Sequence, residues 1–194
     1  MGYLLQLDGN ILLYIQDYIR QDWMTPFWKF ITSLGNSGWF WIALSLLLVI
    51  PQRTRKAGIA AVLAMAIGAL ITNVTLKNLV ARTRPYEVIE GLRLLIEKPH
   101  DYSFPSGHTS ASFAAAMVYY RMAPRKWGIP AVILASLIAF SRLYVGVHYP
   151  SDVLGGLLVG VFAAWAAVKL TAYVSQRWKR SKALGAADQI EKKE

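Results

Sequence analysis

Three short polar segments interrupt an otherwise apolar chain, and each contains residue types that bind phosphate or transfer protons. In the first, KNLVARTRP, Lys77 and Arg84 are seven residues apart. On a continuous helix they would lie about two turns apart and project from one face. Two such cations can bind an anion together, although two basic side chains reaching independently toward the membrane surface would give the same pattern.

The second segment, FPSGHTS, lies at the beginning of an apolar stretch. Pro105 suits the first position of a helix, and Ser106 or Gly107 would leave the N–H groups of that helix end unobstructed. A free helix N-terminus binds phosphate, and His108 beside it can donate a hydrogen bond or a proton near neutral pH. A simple capping motif with a surface histidine is the alternative.

The third segment, SRLYVGVHYPSD, combines a cation with a histidine and an acid. Arg142 falls within an apolar helix, which suggests a bound anion or a buried acidic partner. Pro150 is expected to open the next helix, so that His148 and Asp152 lie on either side of its start. A carboxylate that accepts the proton of one imidazole nitrogen leaves the other free as a nucleophile or base. An ordinary interfacial histidine and aspartate remain the alternative.

Alternation of the apolar helices brings the three segments to the same membrane face. Three cations, a helix N-terminus and two histidines together predict a phosphate-binding site with acid–base groups. The histidine spacing and the shortage of nearby acids do not suit Mg²⁺ or Zn²⁺. We therefore expect a metal-independent site without a cofactor.

The three segments resemble the signature of the type 2 phosphatidic acid phosphatase superfamily, which reads K-x6-R-P, P-S-G-H and S-R-x5-H-x3-D. Residues 77–85, 105–108 and 141–152 match it without departure. The resemblance implies a membrane-embedded phosphatase in which His148 attacks phosphorus and forms a phosphohistidine, while Asp152 orients it. His108 would protonate the leaving oxygen and then activate water. The resemblance also implies which residues bind the phosphoryl oxygens: Lys77, Arg84, Ser106, Gly107 and Arg142.

Composition supports a membrane protein. Of the 194 residues 55% are hydrophobic and 16% are charged, which is too apolar for an ordinary soluble domain. Lys and Arg exceed Asp and Glu by 21 to 11, but no basic stripe interleaved with aromatic residues predicts nucleic-acid binding. The chain has no cysteine, which excludes disulfides and thiolate chemistry.

Hydropathy predicts an all-α polytopic membrane helix bundle with five to six transmembrane helices, since a span needs about 20 mostly apolar residues. The five expected spans are 39–50, extending back toward residue 27 through a break at 35–38, then 58–81, 106–122, 127–147 and 153–174. Residues 7–20 predict an N-terminal interfacial amphipathic helix, with a sixth span as the alternative. We expect a single domain over 1–175 and a basic to mixed-charge cytoplasmic tail, frayed or disordered, over 176–194.

Basic residues predict the orientation. Three clusters fall on one side of five alternating helices: Arg53, Arg55 and Lys56; Arg121, Arg125 and Lys126; Arg177, Lys179, Arg180 and Lys182. The positive-inside rule makes that side cytoplasmic, so the site should face the extracytoplasmic side of the plasma membrane.

A site at the bilayer surface favours a lipid whose phosphate lies at headgroup depth. The resemblance implies undecaprenyl diphosphate, phosphatidylglycerophosphate or phosphatidate as substrate, and the outward orientation favours the first. A vanadium haloperoxidase would share the signature but not the membrane-embedded chain, and a non-enzymatic lipid-binding or transport protein would not need the histidine pair. The loop 86–103 is either a lid that dips Leu94, Leu95 and Ile96 into the interface or a plain connection. Neither a role for His100 nor the oligomeric state follows from the sequence.

Overall fold

The computed structural model describes residues 2–191, and within that range every regular element is a helix. The helices are α1 (Tyr3–Tyr14), α2 (Thr25–Leu34), α3 (Trp39–Val49), α4 (Arg55–Ala69), α5 (Lys77–Val80), α6 (Pro85–Val88), α7 (Gly107–Met122), α8 (Arg125–Tyr144) and α9 (Pro150–Glu191). Two π-helical segments continue α1 and α4, at Ile15–Ile19 and Leu70–Leu76. The predicted all-α class is therefore confirmed.

Helix α7 forms the centre of the bundle, where it packs against α4, α8 and α9. Small residues allow the backbones of α7 and α9 to approach each other closely. A Cβ atom on Gly160 of α9 would lie 2.6 Å from the carbonyl oxygen of Ser110, and one on Gly156 would lie 2.5 Å from that of Ser106. Backbone-to-backbone packing of this kind is typical of helices in lipid, and here it fixes the two helices that begin at the site.

Three helices of the described residues are long and apolar enough to cross a membrane: Arg55–Val88, Arg125–Tyr144 and Pro150–Lys182. The pair Asp22–Leu34 and Asn36–Val49 makes a fourth if the two are one span bent by 48°. The expected count of five to six is therefore not reached by length and composition. The difference comes from α7, which has 16 residues and is lined with small and polar side chains because it faces other helices.

The bend between α2 and α3 lies where the sequence predicted a break. Ser37 and Gly38 adopt left-handed backbone angles, with φ of 49° and 67°. Glycine at 35 is required for a different reason, because a Cβ there would lie 2.5 Å from the Cδ2 of His108. The bend therefore leaves room for a ring that the sequence places at the site.

Helix α5 ends at Val80, close to the expected end of the span at residue 81, and this corrects the placement of Arg84 on the same helix as Lys77. Ala81 has φ 45°, and Arg84 is extended before Pro85, as residues preceding proline usually are. The prediction that Lys77 and Arg84 project from one helical face is therefore wrong. Arg84 reaches the site from the link between two helices.

The N-terminal helix also departs from its expected amphipathic pattern. An amphipathic helix over residues 7–20 would place Asp8 on its polar face, but Asp8 is only 5% exposed, whereas Leu7 and Ile11 are exposed. Leu12 and Ile15 are buried as expected of the apolar face. One acid of α1 therefore faces the protein interior, where it must have a charged partner.

The C-terminal segment is helical further than predicted. Helix α9 begins at Pro150, as expected, and continues without interruption through Glu191. The structure thus describes 176–191 as helical, and the expectation of a separate tail that frays or is disordered from residue 176 stays a prediction. Residues 192–194 of the predicted tail lie outside the described residues.

Candidate active site

One cavity of about 940 Å³ collects most of the residues that the sequence singled out. Six of the eight line it: Lys77, Arg84, Gly107, His108, Arg142 and His148. The other two, Ser106 and Asp152, are fully buried and contact residues near those six. All three polar segments therefore converge, as helix alternation predicted.

His148 lies in the link between α8 and α9 and presents one ring nitrogen toward the cations. Its Nδ1 faces Oδ2 of Asp152 at 3.5 Å, a distance longer than that of a strong hydrogen bond. Its Nε2 is 3.4 Å from Nη1 of Arg84. Nε2 is therefore the nitrogen available to react, and Nδ1 is the one that Asp152 orients.

The environment of His148 keeps its imidazole neutral. Burial is the largest cause and lowers the pKa of His148 to about 4, with the positive charges of Arg84 and Arg142 acting in the same direction. Asp152 opposes this shift and is outweighed. A neutral ring at pH 7 retains the lone pair that a nucleophile needs.

Asp152 is fixed by the start of α9. As the third residue of that helix it accepts a hydrogen bond from the backbone N–H of Tyr149 at 2.9 Å, the reach-back of a capping box. Ser103 Oγ donates to the same carboxylate oxygen at 2.5 Å, and Arg82 Nη1 donates to the other at 2.7 Å. Neither Ser103 nor Arg82 was singled out by the sequence, although each lies within or just before a signature segment.

Two cations of the site share an acid that was not predicted as a site residue. Lys77 Nζ and Arg84 Nη2 both bind the carboxylate of Asp101, the second at 2.5 Å. Arg84 also donates to the carbonyl oxygens of Asp101 and Val147, at 2.8 and 2.7 Å. Lys77 and Arg84 are only 7% and 4% exposed, so Asp101 supplies the opposite charge that these buried cations require.

Asp101 remains ionised at any pH near neutral. Burial alone would raise its pKa, but the hydrogen bonds and charges of Lys77 and Arg84 outweigh burial and lower the pKa of Asp101 to about 2. Asp101 lies in the loop shortly before FPSGH, and the sequence did not single it out. The signal that could have identified it is its closeness to the second segment.

Arg142 is 3% exposed within α8, as an anion-binding arginine in an apolar helix was expected to be. Its Nη1 donates to Thr32 Oγ1 at 2.6 Å. Its Nε has no hydrogen-bond partner within residues 2–191. A buried guanidinium N–H without an acceptor is costly, and a phosphoryl oxygen in the cavity would satisfy it.

Helix α7 begins at Gly107, one residue after the start of the expected span 106–122 and two after Pro105. Ser106 is its N-cap, with Oγ accepting from the backbone N–H of Thr109 at 3.4 Å, so Pro105 precedes the cap and is not the first helical residue. Gly107 opens the helix beside Lys77, and a Cβ there would lie 3.3 Å from Asn73 Oδ1 and encroach on the cavity wall. His108 Nε2 is 2.9 Å from Asn36 Oδ1, an amide contributed by the bend after α2.

The loop 86–103 forms part of the wall. Leu94, Leu95 and Ile96 line the cavity and pack against the hydrophobic core, and the N–H of Leu95 donates to the carbonyl of Val145 at 3.2 Å. His100 does not line this cavity. Within residues 2–191 no group of three or more His, Asp or Glu side chains could hold a metal ion, and metal independence stays a prediction.

Comparison with known proteins agrees with the geometry. The family model of the PAP2 superfamily matches residues 57–176. An undecaprenyl-diphosphatase from Sulfolobus acidocaldarius is 36% identical over 141 residues, which cover 73% of this chain and 68% of that protein.

Two solved structures share the fold. Aquifex aeolicus LpxE has a TM-score of 0.74 and 27% identity over 87% of this chain and 96% of its own. A transmembrane PAP2-type phosphatidylglycerolphosphate phosphatase from Bacillus subtilis has a TM-score of 0.70 and 25% identity, over 91% and 88%. Since the family model spans more than half of the chain and includes all three polar segments, the chain belongs to the PAP2 superfamily.

Proposed function

We propose that this protein is an integral-membrane lipid phosphate or diphosphate phosphatase that works through a phosphohistidine on His148. The observation that carries the proposal is the cavity in which a buried histidine–aspartate pair faces three cations and a second histidine. An anion-binding or transport protein would use the cations but would not need Asp152 to orient His148.

The geometry supports a two-step reaction. Nε2 of His148 forms a bond to phosphorus while the bond from phosphorus to the leaving oxygen breaks, and His108 gives that oxygen its proton. Water then attacks the phosphohistidine, His108 takes a proton from the water, and His148 is released as phosphate leaves. Lys77, Arg84 and Arg142 stabilise the charge on the equatorial oxygens throughout. Many groups must act together, because enzymatic acceleration of phosphate-monoester hydrolysis reaches about 10²¹-fold.

We expect His148→Ala to lower phosphate release from a lipid phosphate by about 10³-fold or more, since the nucleophile is lost. Purified protein would be assayed in detergent with excess EDTA, in which the wild type should keep full activity. His100→Ala is the matched control, because this exposed histidine does not line the cavity. Full activity in His148→Ala would contradict the mechanism, and activity that depends on added metal would contradict metal independence.

For the substrate we propose a long-chain isoprenoid diphosphate, in the class of undecaprenyl diphosphate. An apolar cleft of about 640 Å³ joins the phosphate cavity, and its wall includes Ile42, Val62 and Met65 of α3 and α4. Two further cations, Lys29 and Lys98, line the same cavity as the three cations named above. They offer opposite charge to a second phosphate. The similarity to an undecaprenyl-diphosphatase supports this choice, and the similarity to a phosphatidylglycerolphosphate phosphatase supports the alternative.

We expect kcat/KM to be highest for undecaprenyl diphosphate in a panel that also contains undecaprenyl phosphate, phosphatidylglycerophosphate and phosphatidate. Lys29→Ala and Lys98→Ala should each lower kcat/KM for the diphosphate more than for the monophosphates, by about three- to tenfold. Lys169→Ala on α9, outside the cavity, is the control. Higher kcat/KM for a glycerophospholipid would support the alternative instead.

Asp101 should compete with substrate phosphate for Lys77 and Arg84. We expect Asp101→Asn, which removes the charge and keeps the shape, to lower the inhibition constant of inorganic phosphate or vanadate by about tenfold. That change corresponds to about 1.4 kcal/mol. Glu97→Gln is the control, because Glu97 lines the cavity without an ion pair to either cation. Weaker inhibition of Asp101→Asn would show that Asp101 helps to hold the anion.

We also propose that the site faces the extracytoplasmic side of the plasma membrane. Lys56, Met122 and Gln176 line one small cavity, so the ends of the helices that carry the three basic clusters lie together. By helix direction this end is opposite to the active site, since α7 begins at the site and ends at Met122, and α9 begins at the site and reaches this cavity about 26 residues later at Gln176. Under the positive-inside rule, this arrangement supports an extracytoplasmic site.

Single cysteines can test this orientation, because the chain has none of its own. We expect Glu90→Cys, in the exposed loop on the site's side, to react with a membrane-impermeant maleimide in intact cells. Arg53→Cys, in the exposed loop between α3 and α4, should react only after the cells are permeabilised. The reverse pattern would place the active site in the cytoplasm.

A further inference from the structure

A charged network behind the active site connects the N-terminal helix to the residue that orients the nucleophile. We propose that Arg82 and Asp8 are positioning residues for His148: they hold the carboxylate of Asp152 and the first turn of α9. This inference rests on the proposed function, since it assigns a role in the reaction of His148. It also makes the docking of α1 part of the catalytic apparatus.

Arg82 joins the two acids through its guanidinium group. Nη1 donates to Asp152 Oδ1 and to Ser151 Oγ, both at 2.7 Å, and Nη2 donates to Asp8 Oδ2 at 2.7 Å. The same group lies 3.9 Å above the ring centre of Tyr149, close enough for a cation–π contact. Arg82 does not line the phosphate cavity, so its contacts serve to place other side chains.

Asp8 holds the helix turn that carries Asp152. Its carboxylate accepts hydrogen bonds from the backbone N–H of Ser151 at 3.0 Å and from the hydroxyl of the same residue. An acid at the N-terminus of a helix is stabilised by the free N–H groups and the helix dipole. Asp8 therefore both pairs with Arg82 and caps α9, from a different helix.

The position of Asp152 depends on this network. Its Oδ2 accepts hydrogen bonds from the hydroxyl of Ser103 and the backbone N–H of Tyr149. Nδ1 of His148 lies 3.5 Å from the same oxygen. Arg82 is the charged group that holds Oδ1. Without it the carboxylate could rotate, and two buried acids would remain without the cation that lies between them.

Hydrophobic contacts keep α1 at this place. Leu12 is fully buried against Leu92 and Tyr149, and Gly9 lies close to the side chain of Ile89. A helix that only rests in the interface would expose its acids to water, whereas Asp8 is buried and paired. Burying this acid costs free energy, and a role of Asp8 in orienting Asp152 would account for its burial.

The test compares Arg82→Gln, Arg82→Lys, Asp8→Asn and the double variant Asp8→Asn with Arg82→Gln, all in the full chain. With a lipid phosphate as substrate, we expect Arg82→Gln to lower kcat by about 30- to 100-fold and Asp8→Asn by about fivefold. KM should change by less than about twofold, because the cavity cations are untouched. The rate of phosphohistidine formation in a single turnover should fall in parallel with kcat.

Two comparisons separate positioning from general stability. The double variant should be no slower than Arg82→Gln alone, because both residues act through Asp152. Arg82→Lys should recover part of the lost kcat because it keeps the positive charge. The recovery should be incomplete, because lysine lacks the two guanidinium nitrogens that donate to both acids. Arg20→Gln is the matched control. It removes a different hydrogen bond of the N-terminal segment, from Arg20 to the carbonyl of Arg93 at 2.6 Å, and leaves the contacts of Asp152 unchanged.

Three outcomes would overturn the inference: unchanged kcat in Arg82→Gln and Asp8→Asn, a loss that appears only in KM, or an equal loss in Arg20→Gln. If Arg82→Gln does not fold, Arg82→Lys and Asp8→Asn carry the same test of kcat against KM. A wild type that forms no phosphohistidine would instead refute the proposed function. The two failures are therefore distinguishable.

Discussion

Mutual repulsion among three buried cations is the constraint around which the site is organised. Lys77, Arg84 and Arg142 line one cavity whose surroundings are largely apolar helices, and each charge there is costly unless it is paired. Asp101 pairs with the first two, while the Nε of Arg142 has no acceptor within the described residues. In the proposed function, a phosphate group brings the opposite charge to all three at once. Binding free energy is thereby concentrated on the group that reacts.

Buried charges are also paired with opposite charges on the other side of His148. Asp152 orients the ring, and Arg82 lies between Asp152 and Asp8, so that each buried acid contacts a cation. Acids and bases alternate from α1 to the cavity. Burial keeps the histidine itself neutral, with its pKa lowered to about 4, and in the proposed reaction it gains its charge only when it bonds to phosphorus. The fixed charges are therefore in place before the reaction begins.

The sequence predicted the components of the site better than their supports. Lys77, His108, Arg142 and His148 were identified because charged side chains are conspicuous in apolar segments, and helix alternation was enough to bring them together. The expected span 58–81 ends close to Val80, the last residue of α5, but the seven-residue spacing of Lys77 and Arg84 was still interpreted as one continuous helix. Arg84 therefore comes from a link, although the sequence placed it on a helix.

Asp8, Arg82 and Asp101 were missed for a common reason. Each is important through a partner that is distant in the chain, and a charged residue near a membrane surface looks the same whether it faces water or another side chain. Counting spans among the described residues by length and composition gives fewer than the expected five for a related reason. Residues 106–122 are apolar enough to suggest a span, yet their small and polar side chains suit contact with other helices, which hydropathy does not distinguish from contact with lipid.

The central place of α7 has a mechanical consequence. From Gly107 to Tyr119 none of its residues is exposed, so the helix that carries Ser106, Gly107 and His108 at its start is surrounded by protein. Forces from the bilayer act first on the outer helices, and they reach the phosphate-binding turn only through the packing of α4, α8 and α9 around it. Changes in membrane thickness or curvature should therefore alter how a lipid enters the site before they alter the chemistry within it.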